Sequence, residues 1–334
     1  MPETVSPDPQ PFNARFVRRV CARQGWNMVD LDGGGGYLFA VEAGGRRVLT
    51  GAGAICAYPT NPATAYTIAR DKAFTAAALA GEGLAHVPTS LWFIGTARRH
   101  LRPPGRERAD LEAQAGSLTY PLFAKPNRGA HGDFAERIET SAALLDYLAR
   151  VARAHDQIVI QPLVEAAEYR VFVVGGRARF QYGKAEGGLG GDGVSTWTDL
   201  FESLNARLAA DALSLVPASA FSTGLAAISA SPSDIARTGQ RLPLGGRRNL
   251  ATGGYPVGFR TDVDPALGAL AIAATSALGL DVAGVDLFAP DAGEPLVLEV
   301  NGNPSFASLE GLGEEKLAEA IWADVLRRAL EVAP

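Results

Sequence analysis

The apolar residues of this chain keep two rhythms. In "FNARFVRRVCARQG" (12–25), "ATAYTIARDKAFTAAALAGEG" (63–83), "TSAALLDYLARVARAH" (140–155), "DPALGALAIAATSALGL" (264–280) and "GEEKLAEAIWADVLRRALEV" (313–332) they recur every three or four residues. That is the spacing of one helix face. Thr140 and Ser141 supply capping chemistry at the head of the third stretch. Shorter runs, "VPTSLWFIG" (87–95), "YPLFAKP" (120–126), "QIVIQPLV" (157–164) and "YRVFVVGGRARFQY" (169–182), predict strands, the last a hairpin turning at Gly175-Gly176. Glycines at 33–36 predict a hairpin turn, since no strand-then-helix setting surrounds them to make a dinucleotide fingerprint. A glycine-rich loop at 183–199 runs into a helix near 199–210. Residues 211–247, rich in Ala, Ser and Pro, read as a partly mobile excursion. Interspersed helices and hairpin-paired strands predict an α/β (α+β) fold with sheets covered by helices.

Near the end of the chain, "GVDLFAPDAGEPLVLEVNGNPSF" (284–306) sets Asp286 and Glu299 among Val, Leu and Phe. An unpaired charge in such a strand is costly. Alternation puts Glu299 and Asn301 on one face, with Leu298 and Val300 toward the core. A hairpin in suitable register brings Asp286 beside them. Two carboxylates and an amide oxygen suit Mg²⁺, which keeps waters and substrate phosphates in its other positions. The alternative is that nearby Arg or Lys side chains compensate the acids. Lys125, at a strand end before the glycine-containing loop "NRGAHG", could serve a phosphate, with Gly129 and Gly132 letting amides approach. Lys72 and Lys184 are weaker candidates of the same kind, and surface lysines are the bland reading of both. Glu165 and Glu168 could accept ribose hydroxyls or stand solvated at a strand end.

Composition narrows the classes. Hydrophobic residues make up 47% and charged residues 20% of 334 residues, which is room for two or three units with real cores. A net charge of −5 gives no global attraction to nucleic acid or an acidic membrane. The basic stretch "ARRHLRPPGRER" (97–108) reads as a solvated loop. No apolar run reaches the roughly 18 residues a spanning helix needs, and the N-terminus has no signal-peptide pattern. Cys21 and Cys56 form no CxxC pair, which fits a reducing, cytoplasmic setting. The four histidines sit near no nucleophile-elbow pattern, which argues against a Ser/His/Asp hydrolase.

The stretches "PLFAKP", "IVIQPLVEAAEYRVFVVGG", "GGDGVSTWTDLFESLN", "RRNLATGGYP" and "GVDLF…LVLEVNGNPSF", in that order, resemble the ATP-grasp carboxylate–amine ligases. The nearest likeness is to the cyanophycin synthetase, bifunctional glutathione synthetase and RimK-type branch, over about residues 66–330. The resemblance implies an ATP-grasp fold: a short N-terminal substrate-side unit (1–65, with a disordered lead-in) and two α+β subdomains (66–155 and 156–334) sandwiching ATP. It implies ATP and two Mg²⁺ ions, with Mn²⁺ possible in their place. By position, Lys72 and Lys125 would hold the α/β phosphates and Lys184 would approach the γ-phosphate. Gln161, Pro162, Leu163 and Val164 would flank adenine, with Glu168 on ribose. Asp286, Glu299 and Asn301 would bind the metal, while Arg248 and Asn249 would face an acyl phosphate. The glycine loop 187–193 would close as a lid.

The activity so implied joins the carboxylate of an amino acid or peptide to an amine, releasing ADP and phosphate. An ATP-grasp kinase acting on a hydroxyl, or a non-catalytic nucleotide-binding module, are the other readings. Arg46, Arg47, Arg170, Arg247 and Arg248 are candidates for holding a substrate carboxylate. A homo-oligomer is possible. Because the cleft face is expected to be exposed, Asp286→Asn and Glu299→Gln are both expected to stop turnover with little change in melting temperature.

Overall fold

The computed structural model describes residues 10–129, 133–185, 187–210, 215–244 and 255–332. Helix α1 (Phe12–Gln24) leads into an antiparallel meander of β1 (Asn27–Asp30), β2 (Leu38–Ala43) and β3 (Arg46–Gly51). The glycines form the hairpin connection predicted for them. Asp30 pairs with Phe39, and Gly33, Gly34 and Gly36 take φ of 75°, 95° and 73°, which side chains resist. Alternation along β2 turns Phe39 and Val41 inward to share a core with Phe16, Val17 and Val20 of α1.

The single helix expected over 63–83 is two, α2 (Ala63–Ala69) and α3 (Lys72–Gly81). Asp71 breaks it. Its backbone is extended (φ −112°, ψ 108°), and its carboxylate accepts from Phe74 N at 3.0 Å, capping α3. Aspartate competes with the helix backbone in this way and favours a cap. Lys72 thereby becomes the first residue of a helix rather than a mid-helix side chain.

Next come β4 (Ser90–Phe93), α4 (Arg108–Gln114), β5 (Leu122–Pro126), β6 (Glu136–Ile138), α5 (Ser141–Val151) and β7 (Gln157–Pro162). The strands form an antiparallel sheet ordered β4-β7-β5-β6. Thr140 caps α5 as predicted, and Leu144, Tyr147 and Leu148 of that helix pack with Trp92, Leu111 and Ile158. Within the basic loop, Arg102 and Arg106 lie over the Phe93 and Trp92 rings, and Arg102 also pairs with Glu107. Part of that loop is packed rather than solvated.

A second, five-stranded antiparallel sheet runs β12-β9-β8-β13-β14, built from β8 (Ala167–Val174), β9 (Arg177–Ala185), β12 (Tyr255–Arg260), β13 (Val282–Ala289) and β14 (Leu296–Asn301). One face, with Val171, Val173, Ala283, Val285 and Val300, is covered by α8 (Pro265–Ala277). The other face carries Phe172, Val174, Phe180, Tyr182 and Val282. They join Phe306, just before α9 (Ala307–Gly311), and Trp322 of α10 (Glu315–Leu330). Phe16, Phe39 and Tyr58 complete this core, so the N-terminal meander is built onto the sheet. Segment 85–87 pairs with β14, through Val87 N to Val297 O at 2.9 Å and Val297 N to Ala85 O at 3.0 Å. That pairing covers an edge strand and ties the two sheets together.

Between β9 and β12 lie β10 (Gly188–Gly190), α6 (Trp197–Ala210), α7 (Ala218–Ala227) and β11 (Arg241–Pro243). The described part of the expected excursion is therefore packed. Trp197, Leu208, Leu225 and Leu242 form its core, Phe201 stacks on Phe221 at 4.3 Å, and β10 pairs with β11. Its periodicity is weak because the helix is short and small residues permit close approach. A Cβ on Gly224 would collide with Pro243 O.

Candidate active site

The hairpin pairs as the sequence predicts. Asp286 lies directly across from Glu299, and Gly284 from Asn301, so both acids and the amide share a face. A β-bulge follows this pair, leaving Leu298 without a partner. Val297 rather than Leu298 is thus the core residue (2% exposed), and Leu298 lines a cleft beside Glu299. The bulge corrects the simple alternation expected for this strand.

Arginine and lysine supply much of the missing counter-charge. Arg170, across from Asp286 on β8, holds it bidentately, Nε to Oδ1 and Nη2 to Oδ2, both at 2.6 Å. Lys184 Nζ donates to Asp286 Oδ2 at 3.1 Å and also to Glu168 Oε1. Burial pushes the Asp286 carboxyl up, but the Arg170 and Lys184 charges outweigh it and hold it down at about 2. Burial likewise pushes Lys184 down, and Asp286 more than reverses this. Arg170 is therefore committed to Asp286 and is not free for a substrate carboxylate. Arg46 and Arg47 are paired as well, with Glu331 at 2.5 Å and Glu42 at 3.4 Å.

Glu299 is held more loosely. Lys72 Nζ and Lys125 Nζ each stand 4.0 Å from it, one at each carboxylate oxygen. No hydrogen bond to this carboxylate is present among the described residues, and its side chain is 36% exposed. Burial raises the Glu299 carboxyl, but the two lysines outweigh this and bring it below its ordinary value. Lys125 is only 6% exposed, and burial lowers its ammonium despite Glu299 nearby. Asn127 fixes this corner. Its Oδ1 accepts from Ala73 N at 3.0 Å, its carbonyl from Lys72 N at 3.2 Å, and its Nδ2 donates to Gln157. Arg128 is paired with the capping Asp71 at 3.0 Å. The sequence reading missed Asn127 and Asp71, although an Asp just before a helix-forming run was the available signal.

The remaining candidates divide. Gln161 is buried on β7, and its Nε2 donates to Thr89 Oγ1 at 2.8 Å. Thr89 lines the same cleft as Lys72, Leu298 and Glu299. Pro162 is exposed at the end of that strand, with Leu163 and Val164 half-buried after it. Glu168 is buried, 9% exposed, against Lys184, so it is not the solvated acid of the bland reading. Glu165 is the exposed one and pairs with Arg137. Gly129 is exposed, and its carbonyl accepts from Lys72 Nζ at 3.4 Å. Gly132, Arg247, Arg248 and Asn249 lie outside the described residues.

Lys72, Lys125, Arg170 and Lys184 thus face Glu168, Asp286 and Glu299 from helix α3 and the two sheets. No trio of His, Cys, Asp or Glu side chains clusters as a metal site among the described residues. The set of two carboxylates and Asn301 still fits a hard divalent cation that takes one or two protein carboxylates. Among the described residues Glu299 has no competing hydrogen-bond donor, and Asp286 Oδ1 accepts only from Arg170 Nε, leaving a lone pair. Asn301 Oδ1 likewise accepts one bond, from Asn303 N at 2.9 Å.

A RimK-like ATP-grasp domain matches residues 238–323. The glutathione biosynthesis bifunctional protein GshAB of Mannheimia succiniciproducens is 25% identical over 254 residues, 71% of this chain and 32% of the relative. The cyanophycin synthetase of Geminocystis herdmanii is 26% identical over 217 residues, 60% of this chain and 24% of the relative. The chain therefore spans about a third or less of the length of these relatives. The crystal structure of a bifunctional glutathione synthetase from Pasteurella multocida superposes on 96% of this chain and 44% of its own, with TM-score 0.59 and 17% identity. The fold is the ATP-grasp fold. Among the described residues, no helix is long and apolar enough to cross a membrane.

Proposed function

We propose that this ATP-grasp chain is an ATP-dependent ligase. It activates the carboxylate of an amino acid or peptide as an acyl phosphate and passes it to an amine, releasing ADP and phosphate. The observation that carries the reading is the convergence of Lys72 and Lys125 from the four-stranded sheet and its preceding helix on Glu299 of the other sheet. Two lysines and an open carboxylate on one cleft are what a bridged polyphosphate requires. GshAB and cyanophycin synthetase, with which the chain shares sequence, are biosynthetic proteins by name, and the reading places this chain in their chemistry.

In this reading Lys72 and Lys125 hold the α/β phosphates. Gln161 to Val164 flank adenine, and the Glu168 oxygen not bonded to Lys184 takes a ribose hydroxyl. Lys184 turns from Glu168 and Asp286 toward the γ-phosphate. Glu299, Asp286 and Asn301 would hold magnesium, which when bound neutralises phosphate charge. Arg248 and Asn249, outside the described residues, would face the acyl phosphate, and the segment 187–193, of which Gly188–Gly190 is strand β10, would exclude water, to which such a phosphate is labile. Phosphoryl transfer needs mainly alignment and charge compensation, and each preorganised donor lowers the barrier by ~3 kcal/mol. The two free cysteines, Cys21 buried and Cys56 half-buried, suit a reducing cytoplasmic setting.

Hydroxylamine trapping tests the reaction class. The protein, ATP and Mg²⁺ are incubated with amino acids and short peptides in hydroxylamine, and products are read by mass. Ligase chemistry gives a hydroxamate of one carboxylate together with ADP. A phosphorylated hydroxyl without hydroxamate would replace the ligase by a kinase. No ADP release across the set would favour a nucleotide-binding module.

A further inference from the structure

Asn61 lies outside the charged cleft, yet its carboxamide is used on every side. Nδ2 donates to Val282 O and to Gly302 O, both at 2.8 Å, and Oδ1 accepts from Asp281 N at 2.8 Å and Val282 N at 2.9 Å. The side chain is buried, 9% exposed. Val282 begins β13 and Gly302 follows β14, so one amide joins the two strands where their ladder ends. These are the strands that bear Asp286, Glu299 and Asn301.

The neighbouring residues reinforce the joint. Asn303 Oδ1 accepts from Ala57 N at 2.9 Å, and its Nδ2 donates to Ile55 O at 3.0 Å. Tyr58, fully buried, donates its hydroxyl to Pro304 O. Asn303 N in turn donates to Asn301 Oδ1, which sets how the Asn301 amide is turned. Segment 55–61 therefore grips Gly302, Asn303 and Pro304 of the turn 301–304. Leu280, Tyr66 and Ala69 leave Gly302 little room on its other side, since a Cβ there would lie 3.2 Å from the Leu280 side chain.

We infer that segment 55–61 is a positioning clamp for the metal-holding face, and that Asn61 is its key positioning residue. The inference rests on the magnesium reading of Asp286, Glu299 and Asn301. Asn61 touches none of these groups. It fixes the separation of the strands that present them and, through the 302–303 turn, the orientation of Asn301. A buried amide with four partners has no freedom to relax, so the constraint passes to its partners. Partners behind metal ligands typically change metal affinity 10–100-fold when altered. The clamp also makes the N-terminal unit, expected on the substrate side, a direct support of the triphosphate site.

Asn61→Asp tests this with little change of shape. The carboxylate can still accept from Asp281 N and Val282 N, but it cannot donate to Val282 O and Gly302 O. Mn²⁺ affinity is measured by electron paramagnetic resonance in the presence of a non-hydrolysable ATP analogue. Analogue affinity in EDTA and the melting temperature are measured beside it. The expected result is a loss of Mn²⁺ affinity of about 10-fold or more with metal-free analogue affinity unchanged. Asn303→Asp, which keeps the acceptor for Ala57 N and loses the bond to Ile55 O, should show a smaller loss of the same kind. It serves as the reading should Asn61→Asp fail to fold. Unchanged Mn²⁺ affinity in a folded variant, or equal losses of metal and metal-free analogue binding, overturns the clamp alone. Wild-type protein that binds no Mn²⁺ with the analogue overturns the magnesium reading, and the clamp with it.

Discussion

One face of the five-stranded sheet has two halves that share a backbone ladder and differ in everything attached to it. Along β8, Glu168 and Arg170 point the same way as Phe172 and Val174, and along β9 Lys184 follows Phe180 and Tyr182. The aromatic half meets Tyr58, Phe306 and Trp322, with Phe172 and Phe180 stacked at 4.2 Å. Its partner half pairs Arg170 and Lys184 with Asp286 and Glu168. Burying aromatic area stabilises, and ring pairs add to it. Burying ion pairs roughly breaks even at best, because desolvation takes back what the charges gain. The sheet is held by one half and equipped by the other.

The largest effect on folding should therefore come from the aromatic half. Phe172→Ala removes a fully buried ring that also stands 5.4 Å from Phe306 and 5.9 Å from Tyr182. Urea unfolding should show a loss of about 4 kcal/mol, in the range for a buried Phe. A loss under about 1 kcal/mol would mean that the two halves do not divide the labour this way.

Next in size is the charged half, through a single-charge deletion. Arg170→Met leaves Asp286 buried, 4% exposed, with Lys184 alone beside it, and should cost about 3 kcal/mol. The double change Arg170→Met with Asp286→Leu should recover most of that stability while ATP turnover stays lost. Recovery is the informative outcome, since it would show that the pair is retained for chemistry. A double variant as unstable as the single one would assign the pair to the fold. The burial of Asp286 also revises the outcome expected for Asp286→Asn. Leaving Arg170 and Lys184 short of a counter-charge should lower the melting temperature along with activity.

How far the sequence reveals this division depends on the range of the forces involved. The register of Asp286 with Glu299 was legible because alternation and a hairpin are local, and Asn301 followed two residues on. The α2–α3 break left only a local signal, an Asp before a helix-forming run, while the Arg128 side chain that holds this Asp lies 57 residues away. The bulge at Leu298 leaves no mark in a run of apolar residues, and it moves that side chain from the core to the cleft. Arg170 was legible as a candidate for a substrate carboxylate, but its pairing with Asp286 was not, since the two lie 116 residues apart on β8 and β13. The packed unit around α7 was hidden by its Ala, Ser and Gly content, which carries little periodic signal. The contribution of the meander to the main core rests on Phe39 and Val41 sharing one cluster with residues of β8, β9 and α10, which no local pattern encodes.

The smallest effect on folding belongs to Glu299, and it separates the two acids of the hairpin. Glu299→Gln keeps the shape and removes a charge that makes no hydrogen bond among the described residues and meets its lysines only at 4.0 Å. Its side chain is more than a third exposed, so solvent screens those pairs and their net worth is small. Unfolding free energy should change by less than about 1 kcal/mol. Turnover should fall about 10²–10³-fold, the scale for losing one preorganised charge-stabilising group. Asp286 and Glu299 sit directly opposite on one ladder, so backbone geometry cannot distinguish them. A Glu299→Gln protein that unfolds as readily as Arg170→Met, or one that keeps its turnover, would erase the distinction between an acid tied into the sheet and an acid left open to the cleft.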